Sequence, residues 1–187
     1  SPSYSYLMVK IADIYEDKKD PARAQIYLTR GLDVWKKIRK GRGDDYAAFL
    51  YEVAGIYSRI GWINTELDFL SMAKEAVEKD GNTHSVRYAW LMKYMGDFYA
   101  GAGSRAEAEP FYFAVESVLR ERGLDSTAEF ADCKYQRGLL YAERGEKVKA
   151  DAELRNAHRI YAGVWQYEKA KAAQKEADLL FKKTLRD

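Results

Sequence analysis

The sequence predicts an all-α fold: a right-handed solenoid of helical hairpins, with four repeats and a C-terminal capping helix. The main observation is a small residue followed three places later by a tyrosine, a pair that recurs every 42 residues. A period in this range is typical of stacked supersecondary units, and a small residue allows one helix to pack closely against its partner. The four pairs are Ala12 with Tyr15, Ala54 with Tyr57, Gly96 with Tyr99, and Gly138 with Tyr141.

Glycines recur in phase with these pairs and mark the turn inside each hairpin. Gly61, Gly103 and Gly145 lie seven residues after the small residue, where the first helix must stop. Glycine supplies the left-handed conformation that such a turn usually needs. The first copy has Lys19 at this position, followed by Asp20-Pro21, which is typical of an N-cap and the first residue of a helix.

Capping signals predict where the other helices begin. After a turn from Lys40 to Asp44, Asp44 or Asp45 can cap the second unit. Serine followed three residues later by glutamate predicts capping boxes at Ser104 with Glu107 and at Ser126 with Glu129. The first unit comprises helices from Ser3 to Asp17 and from Pro21 to about Arg39. The repeats cover approximately residues 3–40, 45–80, 84–122 and 126–163, and an amphipathic terminal helix covers 165–185.

The second helix of each unit carries its own small-residue pattern. Ala24 precedes Leu28 and Gly31, Ala108 precedes Tyr112, and Ala150 precedes Leu154 and Ala157. Glu66 and Val115 depart from the pattern, because the other copies have a small residue there.

Together these motifs resemble the tetratricopeptide repeat (TPR) across about 160 of the 187 residues. The period exceeds the usual value of about 34 by roughly eight residues, about one extra turn per helix. Longer units of this kind resemble the kinesin light chain type of TPR domain, and Ala108-Glu109-Pro110-Phe111-Tyr112 is similar to the A-E-P-L-Y run common there. The resemblance implies a stack of helical hairpins in one domain, residues 1–187.

Composition narrows the class of protein. Hydrophobic residues make up 47% and charged residues 32%, which is ordinary for a folded protein. A net charge of +2 gives no general attraction to nucleic acid or membrane. One cysteine excludes an intramolecular disulfide, and the sequence shows no signal peptide or spanning segment. We therefore expect a cytoplasmic protein. Because the chain starts with serine at a repeat boundary, we also expect it to be excised from a longer one.

Catalytic and metal-binding motifs are missing from the sequence. His84 and His158 lie in different units without HExxH or Cys/His spacing, and Gly101-Ala102-Gly103 lacks the lysine of a phosphate-binding loop. We therefore expect no enzymatic activity, no cofactor and no metal.

The expected binding surface is the exposed stripe of the first helices, which line the concave side of such arrays. Positions −6, −3, +1, +4 and +5 from the small residue lie on this stripe, which includes Val9 and Glu16. Its aromatics either anchor a ligand or pack between helices, two alternatives that the sequence leaves open. The predicted partner-binding residues are Tyr6, Asp13, Asp17, Tyr51, Arg59, Trp90, Lys93, Asp97, Asp132, Tyr135 and Glu143.

Charge on the stripe indicates the kind of partner. Six acids and two bases give it a charge of about −4, which disfavours phosphate backbones and acidic peptides. Only Lys93 is basic among the positions where some TPR domains hold a C-terminal carboxylate, so we expect no such clamp. The partner predicted is a protein or peptide with apolar and basic residues.

Three functional hypotheses follow. The first is a non-enzymatic protein–protein interaction module or scaffold that binds a peptide segment or partner domain in a concave aromatic groove. The alternative is a regulatory or sensor array within a larger enzyme or transcription regulator. The weakest is nucleic-acid binding through a basic cluster at Lys36, Lys37, Arg39, Lys40 and Arg42, which the overall charge disfavours.

Overall fold

The computed structural model describes residues 1–38 and 42–182, and every regular element in these ranges is an α-helix. The all-α repeat prediction is therefore confirmed. The predicted helix ends near Arg39 and Leu185 lie outside the described residues, as do Arg39 and Lys40 of the basic cluster. The helices are α1 (Pro2–Asp17), α2 (Pro21–Ile38), α3 (Gly43–Ile60), α4 (Ile63–Lys79), α5 (Val86–Gly101), α6 (Arg105–Glu121), α7 (Ala128–Glu143), α8 (Lys147–Gly163) and α9 (Tyr167–Lys182).

The turn inside each hairpin has the left-handed backbone that its glycine predicts. Gly61, Gly103 and Gly145 have φ of 84°, 82° and 74°. The Gly61 amide donates to the Ser58 carbonyl at 3.0 Å, which satisfies a carbonyl at the end of α3. Lys19 adopts the same conformation without glycine, with φ of 57°.

A second series of left-handed residues, also 42 apart, ends the hairpins. Gly81, Gly123 and Trp165 have φ of 73°, 70° and 64°. Sequence patterns do not reveal Trp165 as the counterpart of Gly81 and Gly123, because tryptophan rarely adopts this conformation.

The start of α3 differs from the prediction that Asp44 or Asp45 caps it. The helix already begins at Gly43, whose amide donates to a carboxylate oxygen of Asp80, at the end of α4. A side chain at Gly43 would overlap the Ala76 carbonyl oxygen. The cap therefore comes from a distant aspartate, because glycine lets the backbone approach α4 closely.

The predicted capping boxes are also corrected. Ser104 is the N-cap of α6, but its side chain makes no capping hydrogen bond. The cap of α7 is Thr127 rather than Ser126, because Thr127 has an extended backbone and its side chain accepts from the Phe130 amide. Before α5, the Ser85 hydroxyl accepts from the Tyr88 amide at 3.1 Å.

The chain forms two compact units, unit 1 (Ser1–Leu91) and unit 2 (Met92–Asp187). In unit 1, α1 packs on α2 and α3 on α4; in unit 2, α8 packs on both α7 and α9. The predicted small residues lie where partner helices meet. A Cβ at Gly138 would lie 2.7 Å from Leu154 Cγ, and one at Gly96 would lie 2.8 Å from Tyr112 Cε1. Among the described residues, each helix is too short or too polar to cross a membrane.

Gly96→Ala is expected to lower the free energy of unfolding by about 1–3 kcal/mol, because the added methyl group overpacks the contact with Tyr112. Gly55→Ala is the matched control. Its nearest neighbour would be Arg59 Nη1 at 3.8 Å, so higher helix propensity should stabilise the protein by about 0.5–1 kcal/mol. Thermal or denaturant unfolding measures both; equal effects of the two substitutions would contradict the predicted close contact.

Candidate functional site

The predicted binding residues fall in both units. Tyr6 packs rather than standing free: its ring meets Phe49 edge to face at 6.0 Å, and its hydroxyl donates to the Asp45 carbonyl at 3.4 Å. Burial raises the pKa of the Tyr6 hydroxyl, and the charges of Asp45 and Glu52 raise it further. Tyr6 therefore joins α1 to α3.

Two other predicted residues also link these helices. Arg59 forms an ion pair with Asp13, and its Nε lies 3.3 Å from Glu16 Oε2. Val9 and Glu16, which we expected on the exposed stripe, are buried, because this side of α1 contacts α3. Asp17 is exposed.

The remaining aromatics of unit 1, Tyr51 and Trp90, line a cavity of about 190 Å³, here called the aromatic pocket. Tyr51 is on α3 and Trp90 is on the first turns of α5, with exposed fractions of 39% and 50%. Ala47, Val77 and Leu91 provide buried apolar surface. The pocket is lined by Asp44, Ala47, Ala48, Tyr51, Glu52, Val77, Arg87, Trp90 and Leu91.

The aromatic pocket has more acidic than basic side chains. Asp44 and Glu52 line it together with one cation, Arg87, which also lies 4.0 Å from Asp45. Asp44 Oδ1 is inaccessible to solvent and has no hydrogen-bond partner among the described residues. The side chains there can accommodate an apolar group and accept hydrogen bonds from a donor beside it.

Unit 2 contains a second cavity, of about 450 Å³, here called the polar cleft. Four of the predicted binding residues line it: Lys93 and Asp97 of α5, and Asp132 and Tyr135 of α7. The exposed stripes of these two helices therefore share one surface. The lining residues are Lys93, Asp97, Ala100, Gly101, Arg105, Asp132, Tyr135, Gln136, Tyr161, Lys169 and Ala172.

Asp132 is the centre of the interactions in the polar cleft. Its Oδ1 accepts from the Tyr161 hydroxyl at 2.6 Å and from Lys169 Nζ at 2.9 Å, and its Oδ2 lies 3.4 Å from Lys93 Nζ. Burial on its own would raise the pKa of the Asp132 carboxyl, but the hydrogen bonds from Tyr161 and Lys169 and the positive charges lower it below its usual value. Lys93 also pairs with Asp97 at 2.6 Å.

The predicted acidic character does not hold for the polar cleft. Arg105 from α6 and Lys169 from α9 join Lys93 there, so three cations face two carboxylates, Asp97 and Asp132. Glu143, counted as an acid of the stripe, forms an ion pair with Arg105. The sequence count missed these cations because it considered only the first helices, whereas long side chains from other helices reach the same surface.

A buried ionic cluster in unit 2 was also missed. Glu116 of α6 and Glu153 of α8 each pair with Lys134 and Arg137 of α7, at distances between 2.6 and 3.1 Å. The Arg137 guanidinium also lies 3.7 Å from the centre of the Phe113 ring. The cluster links three helices. Two charged residues at otherwise apolar repeat positions are the sequence signal for it. Arg137 stands where the other copies have Ile11, Val53 and Met95, and Lys134 where they have Met8, Leu50 and Met92.

Potential catalytic and metal-binding side chains stay apart. His158 Nδ1 donates to the Ala170 carbonyl at 2.9 Å, which joins α8 to α9. Cys133 is buried, and burial raises the pKa of its thiol. Within residues 1–38 and 42–182, no group of three or more His, Cys, Asp or Glu side chains is placed to hold a metal ion.

Solved structures of similar shape identify the fold. BtubC (BKLC) from P. vanneervenii superposes with a TM-score of 0.71 at 15% identity, over 100% of this chain and 83% of that one. A Podosopora anserina protein described as a kinesin light chain with nearly identical TPR-like repeats matches with a TM-score of 0.64 at 15% identity, over 100% and 99% of the two chains. The chain has a TPR-like repeat fold.

No protein-family model and no curated protein matches the chain. The sequence-based resemblance to TPR domains of the kinesin light chain type is confirmed at the level of the fold. A TPR-like fold fits a protein–protein interaction module in general terms.

Asp132→Asn should lower the free energy of unfolding at pH 7 by about 1–3 kcal/mol, because Lys93 and Lys169 lose a half-buried ionic partner. The folded-state pKa of Asp132 is depressed, so its stabilising effect is present above the unfolded pKa of about 3.9 and is lost as the pH falls through the folded value.

Chemical denaturation at pH 7 and near pH 3 measures this difference, which should shrink at the lower pH. Asp125→Asn, at an exposed position of unit 2, is the control and should change little. An Asp132→Asn effect that is constant with pH would contradict the predicted linkage.

Proposed function

We propose that this chain is a non-enzymatic protein–protein interaction module that binds a peptide segment at the aromatic pocket of unit 1. The observation that carries the proposal is the pair Tyr51 and Trp90, partly exposed beside buried apolar surface. An aromatic side chain that is half exposed can still bury a large area against a ligand at small entropic cost.

The size of the pocket suits one large apolar side chain of a partner. Its volume is about 190 Å³, and an apolar protein cavity of about 150 Å³ holds a benzene molecule. Leu91 and Val77 are buried and provide the apolar contact surface. A phenylalanine or leucine of an extended or helical segment is therefore the expected anchor.

Charge around the pocket favours basic residues on either side of that anchor. Asp44 and Glu52 line it, Asp45 lies nearby, and Arg87 is the cation among its lining residues. Acidic residues around the pocket accelerate association with basic segments and repel acidic segments. The carboxylates of Asp44 and Glu52 offer a lysine or arginine of the partner negatively charged hydrogen-bond acceptors.

The predicted residues of unit 1 have two different roles. Tyr6, Asp13 and Arg59 join α1 to α3 and hold α3 in place, whereas Tyr51 and Trp90 contact the partner. The polar cleft of unit 2 is not part of this proposal, because its charges are largely paired with one another. The cytoplasmic location inferred from the sequence stays a prediction.

Trp90→Ala should weaken binding of a suitable peptide by about 2 kcal/mol or more, because it removes the aromatic ring proposed to contact the apolar side chain of the peptide. The probe is a synthetic peptide with one phenylalanine flanked by lysines, titrated calorimetrically against the unmodified protein and the variant. Two matched peptides replace the phenylalanine with alanine or the lysines with glutamates, and both should bind more weakly.

Trp62→Ala is the control variant, because Trp62 is a comparably exposed tryptophan of unit 1 that does not line the pocket. It should leave the affinity unchanged, and melting curves would establish that both variants are folded. Equal affinity of the Trp90→Ala variant and the unmodified protein, or a preference for the glutamate peptide, would place the partner elsewhere.

A further inference from the structure

An apolar stripe runs along the outer side of α1. Tyr4, Leu7, Ile11 and Ile14 follow one another at intervals of three or four residues, which places them on one helix face. Tyr4, Leu7 and Ile14 have exposed fractions of 43%, 54% and 52%, and Ile11 is half-buried. This is the α1 stripe.

The equivalent residues of α3, 42 positions later, are buried. Tyr46 is 5% exposed, Phe49 and Val53 are fully buried, and Ile56 is 1% exposed. The preceding hairpin covers them: the Trp35 ring of α2 lies 5.5 Å from that of Tyr46 and 5.8 Å from that of Phe49. In the second copy these positions thus form the interface with the preceding hairpin.

The fourth copy repeats this arrangement within unit 2. Phe130, Cys133, Arg137 and Leu140 of α7 occupy the same positions and are buried. Here α6 packs on α7, with Arg137 against Phe113 and Glu116, and Arg120 over the Phe130 ring.

The α1 stripe and these buried positions also have similar residue types. The first position is aromatic in all four copies, namely Tyr4, Tyr46, Tyr88 and Phe130. The outer residues of α9 differ: they include the exposed, charged Glu168, Lys171, Lys175 and Lys182 as well as the exposed apolar Tyr167, Leu179 and Phe181. A polar outer face is what a repeat array needs at an end that meets water. The outer side of α9 mixes charged and apolar residues, whereas the α1 stripe is apolar throughout.

We propose that the α1 stripe docks a further helical hairpin of the same 42-residue kind, packed on α1 as α1 and α2 pack on α3. The existing interface indicates what the partner helix must offer. At Gly31 of α2 an added Cβ would lie 3.0 Å from Phe49 Cζ, and Trp35 follows one turn later. The partner helix therefore has a small residue opposite Leu7 and a large apolar one opposite Tyr4.

The α1 stripe of a second copy of this chain matches this pattern of small and large residues less well. Self-association through α1 would place Leu7 and Ile14 against the same large side chains of the partner. In the interface seen here, Phe49, the equivalent of Leu7, instead lies against the small Gly31. The proposed docking surface is distinct from the aromatic pocket, so its test is independent of the proposed function.

The test adds a copy of residues 1–42 directly before the full chain, which positions a second α2 for packing on the original α1. Because each interface between neighbouring repeats adds stability to such arrays, the thermal midpoint should rise by at least about 4 °C. The backbone amide of Leu7 should also become more protected from hydrogen exchange.

Leu7→Glu is the diagnostic substitution, and Lys10→Glu, at an exposed position of the same helix, is the control. In the unextended chain both should shift the midpoint by no more than about 2 °C, because both sites are accessible. In the extended chain Leu7→Glu should abolish most of the gain and Lys10→Glu should not.

Two results would overturn the proposal. The first is an added unit that leaves both the midpoint and the protection of Leu7 unchanged. The second is a dimer of the unextended chain in analytical ultracentrifugation that Leu7→Glu dissociates and Lys10→Glu does not, since the stripe would then bind a second copy.

Discussion

The close approach of helices at small residues is the constraint on which the rest of the structure depends. At Gly138 and Gly96 a side chain would collide with Leu154 or Tyr112 of the partner helix, so only the backbone fits there. Because protein interiors are close-packed, such contacts set the rotation of the first helix relative to the second. That rotation decides which side chains point outward. The exposure of Tyr51 is therefore a consequence of how α3 packs on α4 and α1.

Charge pairing separates the two candidate surfaces. In the polar cleft, Asp132 and Asp97 are already bonded to tyrosines and lysines of the same unit, so little net charge remains for a partner. In the aromatic pocket, two carboxylates, Asp44 and Glu52, face one cation, Arg87, so one negative charge is in excess. One oxygen of Asp44 also has no hydrogen-bond partner among the described residues. Desolvating charges that are already paired offers a ligand little new interaction, whereas an excess of carboxylates beside apolar surface favours a segment with basic and apolar residues.

Some of the residues predicted from the sequence line the two cavities, and this has a physical reason. Helical periodicity places Tyr51, Lys93 and Tyr135 on the outer side of their helices, and each lines a cavity. Periodicity carries no information about residues from other helices, so Arg105 and Lys169 were missed. Nor does it reveal which neighbour covers a given position: Val9 and Tyr51 are equivalent in the repeat, yet Val9 is buried against its neighbours and Tyr51 is exposed.

The sequence by itself determined the repeat period, the order of the helices and the glycine turns, because these depend on local backbone preferences and on spacing along the chain. Tertiary structure decided the features that depend on distant residues. Asp80 caps α3 at Gly43 from the far end of α4, and Trp165 takes a left-handed turn position that glycine holds in earlier copies. Tertiary structure also decided that Leu7 is exposed while Phe49, its equivalent, is buried. The two positions have similar side chains and the same place in the helix, so only the presence of a packed neighbour distinguishes them.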